Sequence, residues 1–305
     1  MFVRRLFLPA SILAWVVLSC AKMPVPPGAE TIKIGPAKII IVMSSDLPLA
    51  STAIVDWVNR GAMAVSNYLG RFPVKLLRVE VTAGGDEAVG DGVTHGNSRI
   101  DVRLGQSARV ADLRQDWVMT HEMFHLAFPT LDRRHLWMME GLSDYLEPVA
   151  RARAGQVTPE QAWQEFVEGF PQGLPQAGDH GLDYDHTRER IYWGGNIYWL
   201  LADVRIRLQT SNRRSVDDAI RAILTAGGNG GVDWPLDRVL SIGGKATGTT
   251  VLRDLYEQLG LRAGMVDLDA LWKKLGVKYQ NGAVTFDDTA PWARVRQSIM
   301  APHGR

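Results

Sequence analysis

The spacing of apolar residues divides the chain into two parts. The first part has short β-branched or alternating stretches, typical of strands, and one stretch of helical spacing that closes on a glycine. Strands are predicted over 37–44, 74–84 and 98–105, and a helix over 52–70. The regular alternation over 98–105 is typical of a strand at the edge of a sheet.

From about Asp112 the apolar spacing is helical almost to the C-terminus. Helices are predicted over 112–127, 134–152, 158–168, 187–209, 215–226, 247–260 and 267–275. We therefore expect an α+β fold, in which a small mixed α/β subdomain (37–111) with a substrate-edge strand precedes a mainly α-helical subdomain (112–305).

The first twenty residues, MFVRRLFLPASILAWVVLSC, have the build of a secretory signal peptide. A basic start precedes an apolar stretch too short for an ordinary membrane span, although an anchor helix that stays in place is the alternative. The ending VLSC resembles a bacterial lipobox. Cys20 is the only cysteine, so no intrachain disulfide competes for it, and we predict that it is lipidated.

The Pro-rich stretch that follows predicts a tether over 21–36. The mature protein is therefore expected to be exported and tied to a membrane of the bacterial cell envelope. In enteric-type bacteria, an aspartate directly after the lipidated cysteine is associated with retention in the inner membrane. This chain has Ala21 at that position, which favours the outer membrane, facing the periplasm.

The overall charge is close to neutral. Among 305 residues, 34 lysines and arginines balance 33 aspartates and glutamates, a net charge of +1. Nucleic-acid binders usually carry a basic surplus gathered in patches, so the charge gives no reason to expect a nucleic-acid partner.

Candidate chemistry is concentrated in MTHEMFHLAF, residues 119–128. On a helix, His121 and His125 lie one turn apart on one face, so both can direct a ring nitrogen at one metal ion. Glu122 is rotated away from this pair, close enough to reach a water but not the metal. The alternative, two core histidines, must also explain a glutamate in an apolar helix, where an unpaired carboxylate is costly. The pattern predicts a zinc site with Glu122 as general base.

Catalytic zinc takes three protein ligands and keeps one position open for water. The metzincin pattern is excluded, because Phe128 and Leu131 stand where it needs glycine and histidine. The apolar stretch HLWMMEGLSDYLEP, 135–148, carries Glu140 and Asp144 one helical turn apart. We predict that Glu140 is the third ligand and that Asp144 accepts the second N–H of a ligand histidine.

Other metal-binding residue types lie nearby in the sequence. His135 and Asp132, between the two ligand helices, are rival third ligands, although a loop position suits this role less well. His180 and His186 lie in a Gly- and Asp-rich stretch, 178–190, which fits a mobile loop near the cleft better than a second metal site.

The combination HEMFH … WMMEGLSDY resembles the gluzincin metallopeptidases, in which H-E-x-x-H is followed by a helix bearing E-G-x-x or E-x-x-S-D. WMMEG is similar to the W-x-x-E-G of the M1-like aminopeptidase branches, and EGLSD is similar to the thermolysin pattern. The interval from His125 to Glu140 is shorter than in the best-known members. The resemblance implies a zincin-like fold with the active site at the seam of the two subdomains.

A second stretch, RERIYWGGNIYWLL (188–201), is similar to the Y-x-x-G helix start of this clan. The resemblance implies that Tyr192 stabilises the oxyanion of the tetrahedral intermediate. A place in the core is the alternative interpretation, and Tyr198 is the lesser candidate for the role.

A third stretch, GVTHGNSRIDVRLG (92–105), resembles the G-G-x-E-H-x-x-S segment that borders the cleft in the glycyl-aminopeptidase-like branch. The match, which a coincidental loop could also give, implies that Thr94, His95 and Ser98 bind substrate. Thr94 stands where that branch has the acidic residue that holds the substrate's free amino group, and a hydroxyl cannot supply this ion pair. We expect the strand over 98–105 to pair with the substrate backbone.

These observations predict a zinc-dependent peptidase acting on peptide or protein substrates with metal-activated water. The neutral residue at position 94 favours an endopeptidase over an aminopeptidase. The rival hypothesis is an inactive gluzincin-fold binding module on the cell envelope. An inactive module would be expected to lack at least one ligand or the base, whereas every ligand type and the base are present in this sequence.

Overall fold

The computed structural model of the protein describes residues 25–302. The predicted signal peptide and the predicted lipidation site, Cys20, lie outside the described residues. Within residues 25–302, none of the helices has both the length and the apolar character needed to cross a membrane.

The first part of the described chain forms a five-stranded sheet. The strands are β1 (Glu30–Ile34), β2 (Ala37–Met43), β3 (Leu76–Ala83), β4 (Val89–His95) and β5 (Arg99–Leu104), in the spatial order β1-β2-β3-β5-β4. The three inner strands are parallel, and each outer strand is antiparallel to its neighbour. Helix α1 (Ser51–Leu69) joins β2 to β3, because parallel neighbours need a crossover connection.

Two predictions about the sheet are wrong. Strand β1 occupies part of the range 21–36 that we expected to be a tether, since the alternating residues of ETIKI pair with β2 across a turn in which Gly35 has a positive φ of 56°. Strand β5, predicted at the edge, lies between β3 and β4. Its alternation reflects one buried and one more exposed face, whereas the edge beside the candidate site is β4.

The rest of the described chain is mainly helical. The helices are α2 (Val110–Gln115), α3 (Val118–His125), α4 (Leu136–Arg153), α5 (Pro159–Gly169), α6 (Gly195–Gln209), α7 (Val216–Thr225), α8 (Leu236–Thr247), α9 (Val251–Leu255), α10 (Leu268–Leu275) and α11 (Ala293–Met300). A hairpin of β6 (Val277–Gln280) and β7 (Ala283–Phe286) precedes α11. A π-helical turn, Arg190–Gly194, leads directly into α6.

The predicted helix 112–127 is divided in two. The Asp116 carboxylate accepts hydrogen bonds from the backbone N–H groups of Val118 (3.1 Å) and Met119 (3.0 Å), the free donors at the start of α3. It also accepts one from Trp57 Nε1 of α1 at 2.7 Å. These contacts fix where α3 begins and how it sits against α1.

One continuous apolar core joins the sheet to the helices. The largest fully buried side chains include Trp137, Trp163, Trp199, Tyr68, Tyr145, Tyr198 and Phe124. Helix α3 packs against α1, α4 and β4, so the HEMFH segment lies between the edge strand and the helix that carries Glu140.

Candidate metal centre

Helices α3 and α4 bring three potential ligand atoms to one point. His121 Nε2 lies 3.1 Å from His125 Nε2 and 3.3 Å from Glu140 Oε2, and His125 Nε2 lies 3.4 Å from the same Glu140 oxygen. Between residues 25 and 302, this is the one group of three such side chains whose ligand atoms lie close enough to hold a metal ion.

The second ring nitrogen of each histidine also has a partner on α4. His121 Nδ1 lies 2.9 Å from Asp144 Oδ1, and His125 Nδ1 lies 3.3 Å from Ser143 Oγ. Partners of this kind fix the ring orientation and leave Nε2 for a metal. Ser143 was not predicted from the sequence, although its spacing of three from Glu140 places it on the same helical face.

The electrostatics of this cluster favour a positive charge. Burial lowers the pKa of His121, but the contacts with Asp144 and Glu140 outweigh it and raise that pKa to about 10. Burial raises the pKa of Glu140, but the two histidines outweigh it and hold this pKa well below its usual range. Two imidazole nitrogens and a carboxylate oxygen are also a common donor set of catalytic zinc, so the residues present fit a zinc ion.

Glu122 is held in place by the edge strand. Thr94 Oγ1 lies 2.6 Å from Glu122 Oε2 and 2.8 Å from the Glu122 backbone oxygen. A methyl group at Gly92 would lie 2.4 Å from Glu122 Cγ and 2.9 Å from Val118 Cγ1, so only glycine permits this approach. A cleft of about 350 Å³ is lined by Gly92, Thr94, Glu122, His125, Glu140 and Tyr192, among others.

Tyr192 reaches the site from the π-helical turn before α6. Its ring stacks on that of His121 with 6.4 Å between centroids. The turn is placed by a close crossing of α4 and α6, since a methyl group at Gly141 would lie 2.2 Å from the Gly195 carbonyl carbon. Tyr198, the lesser candidate, is instead fully buried and donates a hydrogen bond to the Leu252 carbonyl at 2.7 Å.

Two of the predicted substrate-binding residues lie outside this cleft. His95 Nε2 lies 2.9 Å from Asp101 Oδ2 on the exposed face of the sheet, and Ser98 lies in the exposed turn between β4 and β5. Side chains alternate between faces along a strand, so Thr94 and His95 cannot both face the cleft. We do not retain His95 and Ser98 in the site.

The rival third ligands also have other partners. His135 Nδ1 contacts Asp183 Oδ1 at 2.8 Å, and Asp183 further accepts hydrogen bonds from Trp137 (2.8 Å) and Tyr256 (2.7 Å). Asp132 accepts a hydrogen bond from the backbone N–H of Arg134 at 3.1 Å. His135 and Asp132 therefore make their contacts within or from the segment that connects α3 to α4, outside the candidate metal centre.

No protein-family model matches the sequence, and no curated protein matches it either. Solved structures do match. An aminopeptidase N family protein from Idiomarina loihiensis has a TM-score of 0.66 at 15% identity, over 83% of this chain and 49% of that protein. A variant of the M1 zinc metallopeptidase from Deinococcus radiodurans, bound to a Tyr-Ser-Ala substrate, has a TM-score of 0.52 at 12% identity, over 78% of this chain and 52% of the enzyme.

These likenesses establish the fold. The chain has the fold of M1 zinc metallopeptidases, and it spans about half the length of these structures. This agrees with the resemblance of HEMFH … WMMEGLSDY to the gluzincins.

Proposed function

We infer that the protein is a zinc-dependent peptidase. The observation that carries this proposal is the convergence of His121, His125 and Glu140 beside Glu122 and Tyr192 in one cleft. The M1 metallopeptidase fold supports it, and the Deinococcus radiodurans structure with a bound peptide substrate supports peptides as the substrate class.

His121, His125 and Glu140 would hold the zinc. When bound there, zinc supplies Lewis-acid activation of a carbonyl group and of a water. Glu122 accepts the proton of the attacking water and passes it to the leaving amine. Thr94, which donates its hydroxyl to Glu122, keeps the carboxylate directed into the cleft.

Tyr192 donates a hydrogen bond to the developing oxyanion, a contact typically worth about 3 kcal/mol in the transition state. Burial and the nearby carboxylates of Glu140 and Asp144 raise the pKa of Tyr192. The hydroxyl therefore keeps its proton at neutral pH and remains a donor.

The site favours internal peptide bonds over free N-termini. Thr94 is neutral, and its hydroxyl is engaged by Glu122, so it offers no carboxylate for an α-ammonium group. Among the described strands, β4 pairs only with β5, which leaves its other edge for a substrate backbone.

Export and lipid attachment at Cys20 stay predictions from the sequence. Together with the proposed activity, they describe a peptidase tied to the cell envelope, in the outer membrane facing the periplasm.

The proposal predicts that Glu122→Gln keeps zinc but loses turnover. The amide cannot accept the proton of water, so we expect kcat to fall by about 100-fold or more. The test measures the kinetics of cleavage of amino-blocked fluorogenic peptides and the zinc content of the same preparations. Glu160→Gln, on the exposed start of α5, is the matched control and should keep full activity.

Normal turnover in Glu122→Gln would overturn this mechanism. If the unaltered protein binds zinc but cleaves no peptide of a random library, the inactive binding module becomes the better account.

A further inference from the structure

A second cavity, of about 590 Å³, lies beside the metal centre. Tyr192 lines both this cavity and the cleft of Glu122. Asp144, which contacts His121, also lines it. A substrate bound at the metal centre could therefore place a neighbouring side chain here.

The ionisable lining of the cavity is strongly acidic. Its carboxylates are Asp144, Glu147, Glu165, Glu168 and Glu189, and its one cation is Arg188. Glu168, Arg188 and Glu189 are exposed, so water screens them, whereas Glu147 is buried and paired with Arg151.

Glu165 lacks such a partner. Within residues 25–302 it forms no hydrogen bond and no ion pair, although it is largely shielded from solvent. A carboxylate in this position gains from a cation that enters the cavity.

A second, independent observation points to a missing hydrogen-bond donor. Asn196 lines the cavity and is 1% exposed, yet its Oδ1 has no hydrogen-bond partner in the described structure. Buried polar atoms are nearly always paired, so this unpaired acceptor on a residue that lines the cavity is a candidate partner for a ligand N–H.

The remaining walls suit an organic cation rather than a bare metal ion. Trp117 and Trp193 offer aromatic surface for an aliphatic stem and for cation–π contact with its head group. In the described part of the chain, these carboxylates do not form a second group close enough to hold a metal ion.

We propose that this cavity is a specificity pocket for a lysine or arginine side chain next to the scissile bond, with Glu165 and Asn196 as the residues that recognise it. The proposal rests on the peptidase function inferred above. It makes Glu165 a specificity-determining residue that takes no part in bond cleavage.

The test compares paired peptides that differ in one charge. Blocked peptides carrying arginine at a position flanking the cleaved bond are compared with the same peptides carrying citrulline, its neutral isostere. For the zinc-loaded protein at pH 8, where the Glu165 carboxylate is charged, we expect kcat/KM to favour arginine about tenfold or more, because the charge of arginine meets an unpaired carboxylate.

Glu165→Gln should remove most of that preference, mainly through KM. Glu160→Gln, on the same helix but outside the cavity, should keep the full preference. Equal cleavage of both peptides by the unaltered protein would overturn the pocket while leaving the peptidase function intact.

If no peptide is cleaved, the peptidase function fails, and binding tests the pocket separately. Calorimetry with Nα-acetyl-arginine methylamide and its citrulline analogue should show about tenfold tighter binding of the arginine compound. Equal binding, or a preference that Glu165→Gln does not reduce, would overturn the pocket.

Discussion

At the scale of single residues, Thr94 contacts the candidate general base. The sequence aligns it with an acidic residue that holds a substrate amine, whereas its hydroxyl contacts both the carboxylate and the backbone oxygen of Glu122. In the proposed peptidase, this threonine orients the candidate base and offers no carboxylate to a substrate amino group.

The candidate ligand residues could be predicted because each pair depends on helical spacing within one helix. His121, His125, Glu140 and Asp144 follow from two helices with four-residue intervals, and the structure brings them together. The position of His95 outside the cleft could not be predicted in this way. It depends on which face of β4 meets α3, and this follows from tertiary packing that no local pattern specifies.

Among single residues, Glu165 is expected to make the stability of the fold depend most clearly on pH. Burial, with Asp144 and Glu168, raises its pKa to about 7, and Arg151 only partly opposes this. Glu147, also buried, lines the same cavity. Because the folded pKa lies above the unfolded value of 4.5, the unfolded state loses its proton first as pH rises. The folded state is therefore penalised above about pH 5, and the penalty is complete above about pH 7.

Glu165→Gln should consequently stabilise the protein at pH 8 by about 1 kcal/mol, allowing for partial solvent screening, and much less at pH 5. Thermal unfolding of the two proteins at both pH values measures this difference, with Glu160→Gln, at an exposed position of the same helix, as the control. A gain of equal size at both pH values, or a loss at pH 8, would contradict the assignment.

At the scale of elements, the contact between β4 and α3 determines the site. Gly92 lets the edge strand approach Glu122 closely, and the same strand supplies Thr94. The crossing of α4 and α6 at Gly141 and Gly195 similarly brings the Tyr192 turn beside the histidines.

Gly92→Ala tests the first of these contacts. The added methyl group would overlap Glu122, so we expect kcat to fall about tenfold or more, together with a loss of stability of about 1–3 kcal/mol. Gly90→Ala in the same strand is the matched control, since its methyl group would meet Arg103 only at 3.5 Å. Steady-state kinetics and thermal unfolding give both quantities. Equal effects of the two substitutions would mean that β4 does not position Glu122.

The elements that could be predicted are those with strong periodicity. Strands β2, β3 and β5 and helices α1, α4, α5, α7 and α10 fall within a few residues of their predicted ranges. Strand β4 was missed because Gly90, Asp91 and Gly92, residue types that are depleted in strands, interrupt its β-branched residues. Helix α8 was missed because LDRVLSIGGKAT carries two adjacent glycines, and tertiary packing overrides their low helix propensity.

At the scale of the whole molecule, the chain combines an M1 metallopeptidase fold with a cleft and an adjoining acidic cavity. It spans about half the length of the structures it matches. Sequence patterning anticipated the order of a mixed α/β part and a helical part, and a single continuous core joins the two.

The central claim is that the histidines of HEMFH and Glu140 bind zinc, and the metal content of the purified protein tests it most directly. We predict about one zinc per chain, because residues 25–302 contain one three-donor site. His125→Ala should lose the metal, and His180→Ala, on an exposed loop outside the site, should keep it. Zinc should also raise the unfolding temperature of the unaltered protein, but not that of His125→Ala. A protein that binds no zinc after reconstitution, or that binds it equally in His125→Ala, would contradict the account.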